Sequence, residues 1–404
     1  MKLLLLIFLL NFLSLSDSFA QSRPQRPEPA KGNQKKNQRP VPKTEEELRK
    51  EEEERKRIEE EKKAIEDPEV LRIETRIVNV DAVVYHKKTG QIITGLKKEN
   101  FAVFDNGIRK PIVNFATPEA PITVALLVEY SKWTEVFGYY ASRGFEPGKY
   151  EVIRPVAQFL SRFIKPPDDY ATVIAFDLRP TPLVDFTNDP AKLRAVVDLL
   201  LRNNPAFREN NLYDALKFVL IGGKGDPVVL ENSGKESQVE YAGMVEVKAK
   251  RKAVILVASG IDTFSRTSYD EARKIIQRAG IPIYIISTGN MFFKLYEPYL
   301  PATDSISGMP GRLTFLQAQN AMNTFAKESG GQHFPMTFES EIPSILNSIN
   351  SLLRNQYSLG FDPGEIPKDG KRRKIEVKVD VNGDGVFDEK EYVVQHRPFY
   401  FADK

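Results

Sequence analysis

Four short runs of uninterrupted apolar residues limit what this chain can become. They are Ile122-Thr-Val-Ala-Leu-Leu-Val128, Ala171-Thr-Val-Ile-Ala-Phe176, Ala253-Val-Ile-Leu-Val257 and Ile281-Pro-Ile-Tyr-Ile-Ile286. A strand with one wet face alternates apolar and polar residues, so a strand without that alternation must be covered on both faces. Helical periodicity fills the gaps between the runs, at 150–164, 191–201, 212–220, 268–279, 313–327 and 341–353. Strand and helix in repetition predict an α/β fold over residues 120–354, a doubly wound and mostly parallel sheet. Such sheets take their ligands at the carboxyl ends of the strands. A functional site is therefore expected on the loops after Val128, Phe176, Val257 and Ile286.

On either side the pattern changes to period two. Residues 72–85 alternate, Thr89-Gly90 reads as a turn, and residues 101–104 and 112–115 read as two more strands. After Arg354, residues 356–361, 374–379, 392–394 and 398–401 read as strands, with 374–379 and 392–394 as the two arms of a hairpin. Neither segment has enough strands to be stable alone. We expect 70–118 and 356–404 to pair into one small β-sandwich-like domain, with the α/β domain inserted between its halves.

The start of the chain reads as an address. Lys2 precedes an apolar run from Leu3 to Leu15 broken by Asn11 and Ser14, and Ser18-Phe19-Ala20 supplies a small-x-small cleavage pattern. The run is shorter than the ~20 residues a spanning helix needs. Residues 1–20 are thus expected to be a signal peptide cut near Ala20, leaving an exported protein, periplasmic or extracellular, with no retained transmembrane segment. Residues 21–43, rich in Pro, Gln and Lys, have little to bury and read as a disordered linker. Residues 44–68 read as a charged helix: Thr44 and Glu47 form a capping box, Glu-first pairs such as Glu45/Arg49 recur at i,i+4 spacing, and Pro68 ends it.

Several chemistries are excluded. The chain has no cysteine, hence no disulfide, thiol nucleophile or thiolate metal site, and its three histidines show no ligand spacing. With 58 basic and 55 acidic residues it carries no nucleic-acid footprint. Neither a Gly-x-Ser-x-Gly elbow nor a His-Glu-x-x-His pair nor a phosphate loop is present. The glycine-rich stretch at 221–225 follows a helix rather than a strand.

The segments NVDAVVYHKKTGQIITGLKKENFAVFDNGIRKPIVNF, ITVALLVEYS, NNLYDAL, VILVASGIDTFSR and NQYSLGFDP, in this order, resemble exported bacterial von Willebrand factor A (VWFA)-related proteins. The resemblance implies a Rossmann-like A-type domain, a six-stranded mostly parallel sheet flanked by β segments. It also implies a metal-ion-dependent adhesion site built from an Asp-x-Ser-x-Ser loop, a Thr and a later Asp. In this chain that site is degenerate. The first loop reads Glu129-Tyr130-Ser131-Lys132-Trp133, the Thr position holds Asn210, and the late Asp position holds Ser259 with Asp262 nearby. Two readings stand: a weak oxygen site from Glu129, Ser131, Asn210 and Asp262, or a metal-free pseudo-site filled by Trp133 and hydrogen bonds. Each lost ligand lowers affinity, so a divalent cation is not expected there. Trp133, the one tryptophan, is a candidate anchor on a partner-binding rim.

A second metal candidate lies near the end. Asp380, Asn382, Asp384, Val386, Asp388 and Glu391 fall at the ligand positions of a twelve-residue calcium loop, with Gly385 at its sharp turn. The flanks are strands instead of helices, so a bound Ca²⁺ would stiffen the C-terminal hairpin; the alternative is a polar turn on Asn382-Gly383 or Asp384-Gly385. Taken together, the sequence points to a non-enzymatic protein-binding or scaffold protein with an unidentified protein partner. The other readings are a calcium-dependent adhesin and, further off, an extracytoplasmic hydrolase.

Overall fold

The computed structural model describes residues 77–132, 154–202, 205, 207–225, 239–306, 308–367 and 369–402. The expected signal peptide, linker and charged helix lie outside the described residues, as does Trp133. The first strands are β1 (Val78–His86), β2 (Phe101–Asp105), β3 (Ile108–Lys110) and β4 (Ile112–Ala116). The chain then runs through β5 (Ile122–Glu129), α1 (Arg154–Phe163), β6 (Tyr170–Phe176), β7 (Pro180–Thr187), α2 (Pro190–Arg202) and α3 (Leu212–Ile221). A small ribbon of β8 (Gly223–Gly225) and β9 (Val239–Tyr241) precedes α4 (Gly243–Glu246), β10 (Arg251–Ala258), α5 (Tyr269–Ala279) and β11 (Ile283–Ser287). Next come α6 (Gly289–Tyr296), α7 (Arg312–Ser329), β12 (His333–Pro335) and α8 (Ile342–Arg354). The last strands are β13 (Tyr357–Phe361), β14 (Arg372–Val379), β15 (Tyr392–His396) and β16 (Phe399–Phe401).

The four apolar runs lie side by side. The central sheet has six strands in the order β12-β11-β10-β5-β6-β7, with every pairing parallel except β6 with β7. Period two explains why the runs are uninterrupted. On β5, Ile122, Val124, Leu126 and Val128 face a core shared with Leu160 of α1, Leu193 of α2 and Ile349 of α8. Ala125 and Leu127, one residue out of phase, face a second core with Leu216 of α3, Ile276 of α5 and Phe325 of α7. Every β5 residue is buried because a helical layer covers each face. β7 is the edge strand that the apolar pattern does not signal; it carries Pro180 and Pro182, which an edge tolerates because no second neighbour needs their amides.

The flanking strands form two four-stranded antiparallel sheets, β15-β1-β13-β4 and β16-β14-β2-β3. Val80, Val84, Tyr357 and Leu359 of the first meet Phe101, Val103, Ile375 and Val377 of the second in one apolar cluster. Strands from both ends of the chain thus share each sheet. The expected hairpin of 374–379 with 392–394 is corrected here: β14 pairs with β2 and β16, whereas β15 pairs with β1. The inward residues of β14 and β15 face the common cluster from opposite sheets, so residues 380–391 cross between the sheets instead of closing a hairpin. No helix among the described residues is long and apolar enough to cross a membrane.

Two arginines fasten the points where the chain enters and leaves the α/β region. Arg251, the first residue of β10, is fully buried. Its guanidinium donates to the carbonyls of Pro118 and Ala120, each at 2.6 Å, and to the carbonyl of Leu353. It therefore grips the chain both where it enters the α/β region and where it leaves. Arg354 lies over the Phe163 ring at 4.0 Å and pairs with Asp169 at 2.7 Å. Asp169 in turn accepts the backbone amide of Ile122 at 3.0 Å. Arg251→Met would leave three carbonyls without their donor, at ~1–3 kcal/mol for each buried group left unmet. We expect at least ~3 kcal/mol lost in urea unfolding, with Arg251→Lys in between; an unchanged midpoint for Arg251→Met would refute the role given to this residue.

Candidate functional site

The carboxyl ends of β11, β10, β5 and β6 lie next to one another, so the loops that follow them share one edge of the sheet. Glu129, the last residue of β5, is buried at that edge. Its Oε1 accepts the Ser131 hydroxyl at 2.6 Å and the Asn210 side-chain amide at 3.0 Å. Its Oε2 accepts the backbone amide of Ser259, just past β10, at 2.6 Å. Three elements therefore meet on one carboxylate. Burial pushes the Glu129 carboxyl above its usual range, against the downward pull of hydrogen bonds from Ser131, Ser259 and Asn210.

Asn210 is held there by its own backbone. Its amide donates to the Thr263 hydroxyl at 2.8 Å, and its carbonyl accepts the amides of Thr263 and Phe264 at 3.2 and 2.8 Å. The side-chain Oδ1 of Asn210 is buried without a hydrogen-bond partner. Of the four adhesion-site candidates, the structure joins Glu129, Ser131 and Asn210 directly. Asp262 belongs to a neighbouring network. It accepts the Ser265 hydroxyl at 2.5 Å and the Tyr213 amide at 3.3 Å. The first amides of α3 have no partner within the helix, and a carboxylate placed there satisfies one of them. Thr263 and Ser265, which sequence reasoning did not single out, hold these two networks. Their signal was slight, a run of hydroxyl residues directly after a strand.

Around this buried centre the loops expose aromatic surface. Phe264 is 61% exposed and Phe207 47% exposed. The Phe207 carbonyl accepts the Lys132 amide at 2.8 Å, and the Phe264 amide donates to Asn210, so both aromatics are anchored to the segments that build the Glu129 network. The rim expected of Trp133 falls outside the described residues, but these two phenylalanines border the same loops.

The calcium-type loop is wound by its own carboxylates. Asp380 accepts the amides of Gly383 at 2.7 Å and Gly385 at 2.8 Å, Asp384 accepts that of Val386 at 2.8 Å, and Asp388 accepts that of Val381 at 2.8 Å. Asn382 and Asp384 bond to each other, and the Glu391 carbonyl takes the Lys87 amide. Gly383 and Gly385 have φ of 76° and 88°, which side-chain-bearing residues adopt rarely. Among the described residues, no three His, Asp or Glu side chains converge closely enough to hold a metal ion.

No protein-family profile matches the sequence, and no curated protein matches it. Solved structures do match at the level of chain path. The PilB minor pilin of Streptococcus sanguinis is 11% identical with a TM-score of 0.40, over 58% of this chain and 62% of that one. Proximal thread matrix protein 1 of the mussel byssus is 11% identical with a TM-score of 0.38, over 62% and 50% of the two chains. The vWF domain of the type V pili tip protein Mfa5 of Porphyromonas gingivalis is 13% identical with a TM-score of 0.31, over 58% and 95%. The chain spans less than two thirds of the length of the first two.

Glu129 sets a pH dependence whose sign follows from its burial. Above the usual carboxyl value of 4.5 the native state holds a proton that the unfolded chain has released, so this group's contribution to stability falls as pH rises and recovers as pH is lowered toward 4.5. Glu129→Gln should flatten that part of a melting-temperature profile against pH. Glu129→Ala leaves three donors without an acceptor and should cost at least ~2 kcal/mol in denaturant unfolding. A Glu129→Gln profile parallel to that of the unaltered chain would contradict the assignment.

Proposed function

We propose that this chain is an exported, non-enzymatic binding or scaffold protein. Its VWFA-type α/β domain docks a protein partner on the loops at the carboxyl end of the central sheet, and docking needs no metal at Glu129. One observation carries the reading: a buried carboxylate committed to hydrogen bonds shares its supporting segments with two exposed phenylalanines. A hard cation needs oxygens with lone pairs to spare. Here Ser131, Asn210 and Ser259 donate into the carboxylate and take the place a cation would have, which turns the centre into a brace for the rim. Aromatic residues, phenylalanine included, are enriched at protein interfaces relative to the rest of the surface. Export rests on the leader pattern of residues 1–20.

A partner recovered by pull-down with the full chain should be retained in the presence of chelator and lost with Phe264→Glu. Retention by Phe264→Glu would remove the rim from consideration. Loss on chelation would favour the calcium-dependent adhesin. That second reading draws on the prewound turn at 380–391, where Asp380, Asp384 and Asp388 already bend the chain into loop form. On it, millimolar Ca²⁺ raises the melting temperature and Asp384→Ala abolishes the rise; a melt indifferent to Ca²⁺ would dismiss a structural ion in this loop.

A further inference from the structure

At the other end of the sheet from the Glu129 network, a cleft of about 260 Å³ separates the starts of β10 and β11 from the outer face of β1. Its lining includes four cationic side chains, Lys250, Lys252, Arg278 and Arg397, and a single carboxylate, Asp81. The pairing of β1 with β15 sets Ala82 opposite His396, which brings Asp81 level with Arg397 one step further along. On its other side Asp81 faces Ser358 of β13. Opposed residues on neighbouring strands lie close enough for opposite charges to pair.

These two do not pair. No ion pair joins Asp81 to Arg397. The Arg397 side chain is 94% buried, donates through Nη2 to the Asn79 carbonyl, and lies against Gly280 so tightly that a Cβ there would sit 2.1 Å from Nη1. Gly280 ends α5 with a φ of 61°, and its lack of a side chain is what admits the guanidinium. Arg397 is thereby engaged by Asn79 and fitted against Gly280, while its charge still acts on Asp81 without a direct ion pair. The Oδ1 of Asp81 and the Nε of Arg397 are both enclosed and both without a hydrogen-bond partner. One wall of the cleft thus carries an unpartnered oxygen of Asp81, whose carboxyl also draws on Gln356 and Ser358, and an unpartnered nitrogen of Arg397, with Lys250 and Lys252 in the same lining.

We propose that this cleft binds a small zwitterion, a free amino acid or dipeptide, with its ammonium on Asp81 and its carboxylate on Arg397. A simple anion would satisfy Arg397 and meet repulsion from Asp81; a simple cation would meet four positive groups. Only a molecule with both charges matches both groups, and the volume admits one or two residues. Thermal-shift titration of the full chain with glycine and with glycylglycine tests this and tells the two sources apart. One or both should give a saturable rise in melting temperature. N-acetylglycine, which lacks the ammonium, and glycinamide, which lacks the carboxylate, should bind at least about tenfold more weakly, since a site built to pair a group rejects analogues without it. Asp81→Asn should lose the zwitterion and, with the repulsion gone, strengthen any response to N-acetylglycine. If that variant does not fold, Lys250→Glu at the exposed mouth should weaken the same ligand. No saturable shift with either zwitterion, or N-acetylglycine binding as tightly as glycylglycine, would overturn the proposal.

Discussion

The arrangement depends on one buried guanidinium. A chain that leaves one set of strands for the central sheet and then returns makes two crossings, and each crossing carries backbone carbonyls out of any ladder. Arg251 offers donors in a fixed planar fork, and three of those carbonyls, from Pro118, Ala120 and Leu353, fall on it. Because Arg251 is also the first residue of β10, a central strand of the main sheet, the same side chain that closes the crossings registers them against the α/β core. Lysine could supply charge but not the fork. Burial makes this arginine's charged form costly, and the nearby carboxylates of Asp81 and Asp169 offset part of that cost.

From that anchoring the two ends of the sheet take different characters. At the carboxyl end the loops converge on Glu129, and donors close on its oxygens until the centre is a rigid knot on the segments that carry the aromatic rim. At the opposite end the outer face of β1 meets the starts of β10 and β11, and Arg397 there donates to the Asn79 carbonyl in the space that Gly280 leaves open, without an ion pair to Asp81. One end commits both oxygens of its carboxylate to neighbouring donors; the other leaves an Asp81 oxygen and an Arg397 nitrogen without a hydrogen-bond partner. The difference comes from which backbone lies closest to each charged group, and not from the number of charged residues present.

Much of the fold was readable before any coordinates. The doubly buried strands announced themselves through unbroken apolar runs, and the helices through a 3.6-residue period, because those patterns are direct consequences of what each face touches. β7 and β12 escaped for the same reason inverted: an edge strand with two prolines and a three-residue strand bury too little to leave a pattern. The supposed hairpin at 374–394 failed because alternation tells which side of a strand is inward but not which strand lies beside it. At the site, Glu129, Ser131 and Asn210 were grouped through the family resemblance, and hydrogen bonds join them in the fold. Asp262 was grouped with them although its carboxylate serves the amide of Tyr213, and nothing in a linear pattern says which of two nearby acceptors a helix terminus will claim.

What the amino-acid order determined alone is the layer plan, a sheet clothed on both faces and flanked by two stretches of alternating strands, since apolar periodicity is a local property of the chain. What only the folded molecule decided is the fate of its buried charges. Whether Glu129 ends among donors, Arg251 among carbonyls, or Arg397 on the Asn79 carbonyl depends on residues 80 to more than 300 positions away in the chain. Electrostatic satisfaction is set by distance in space, which no local period encodes.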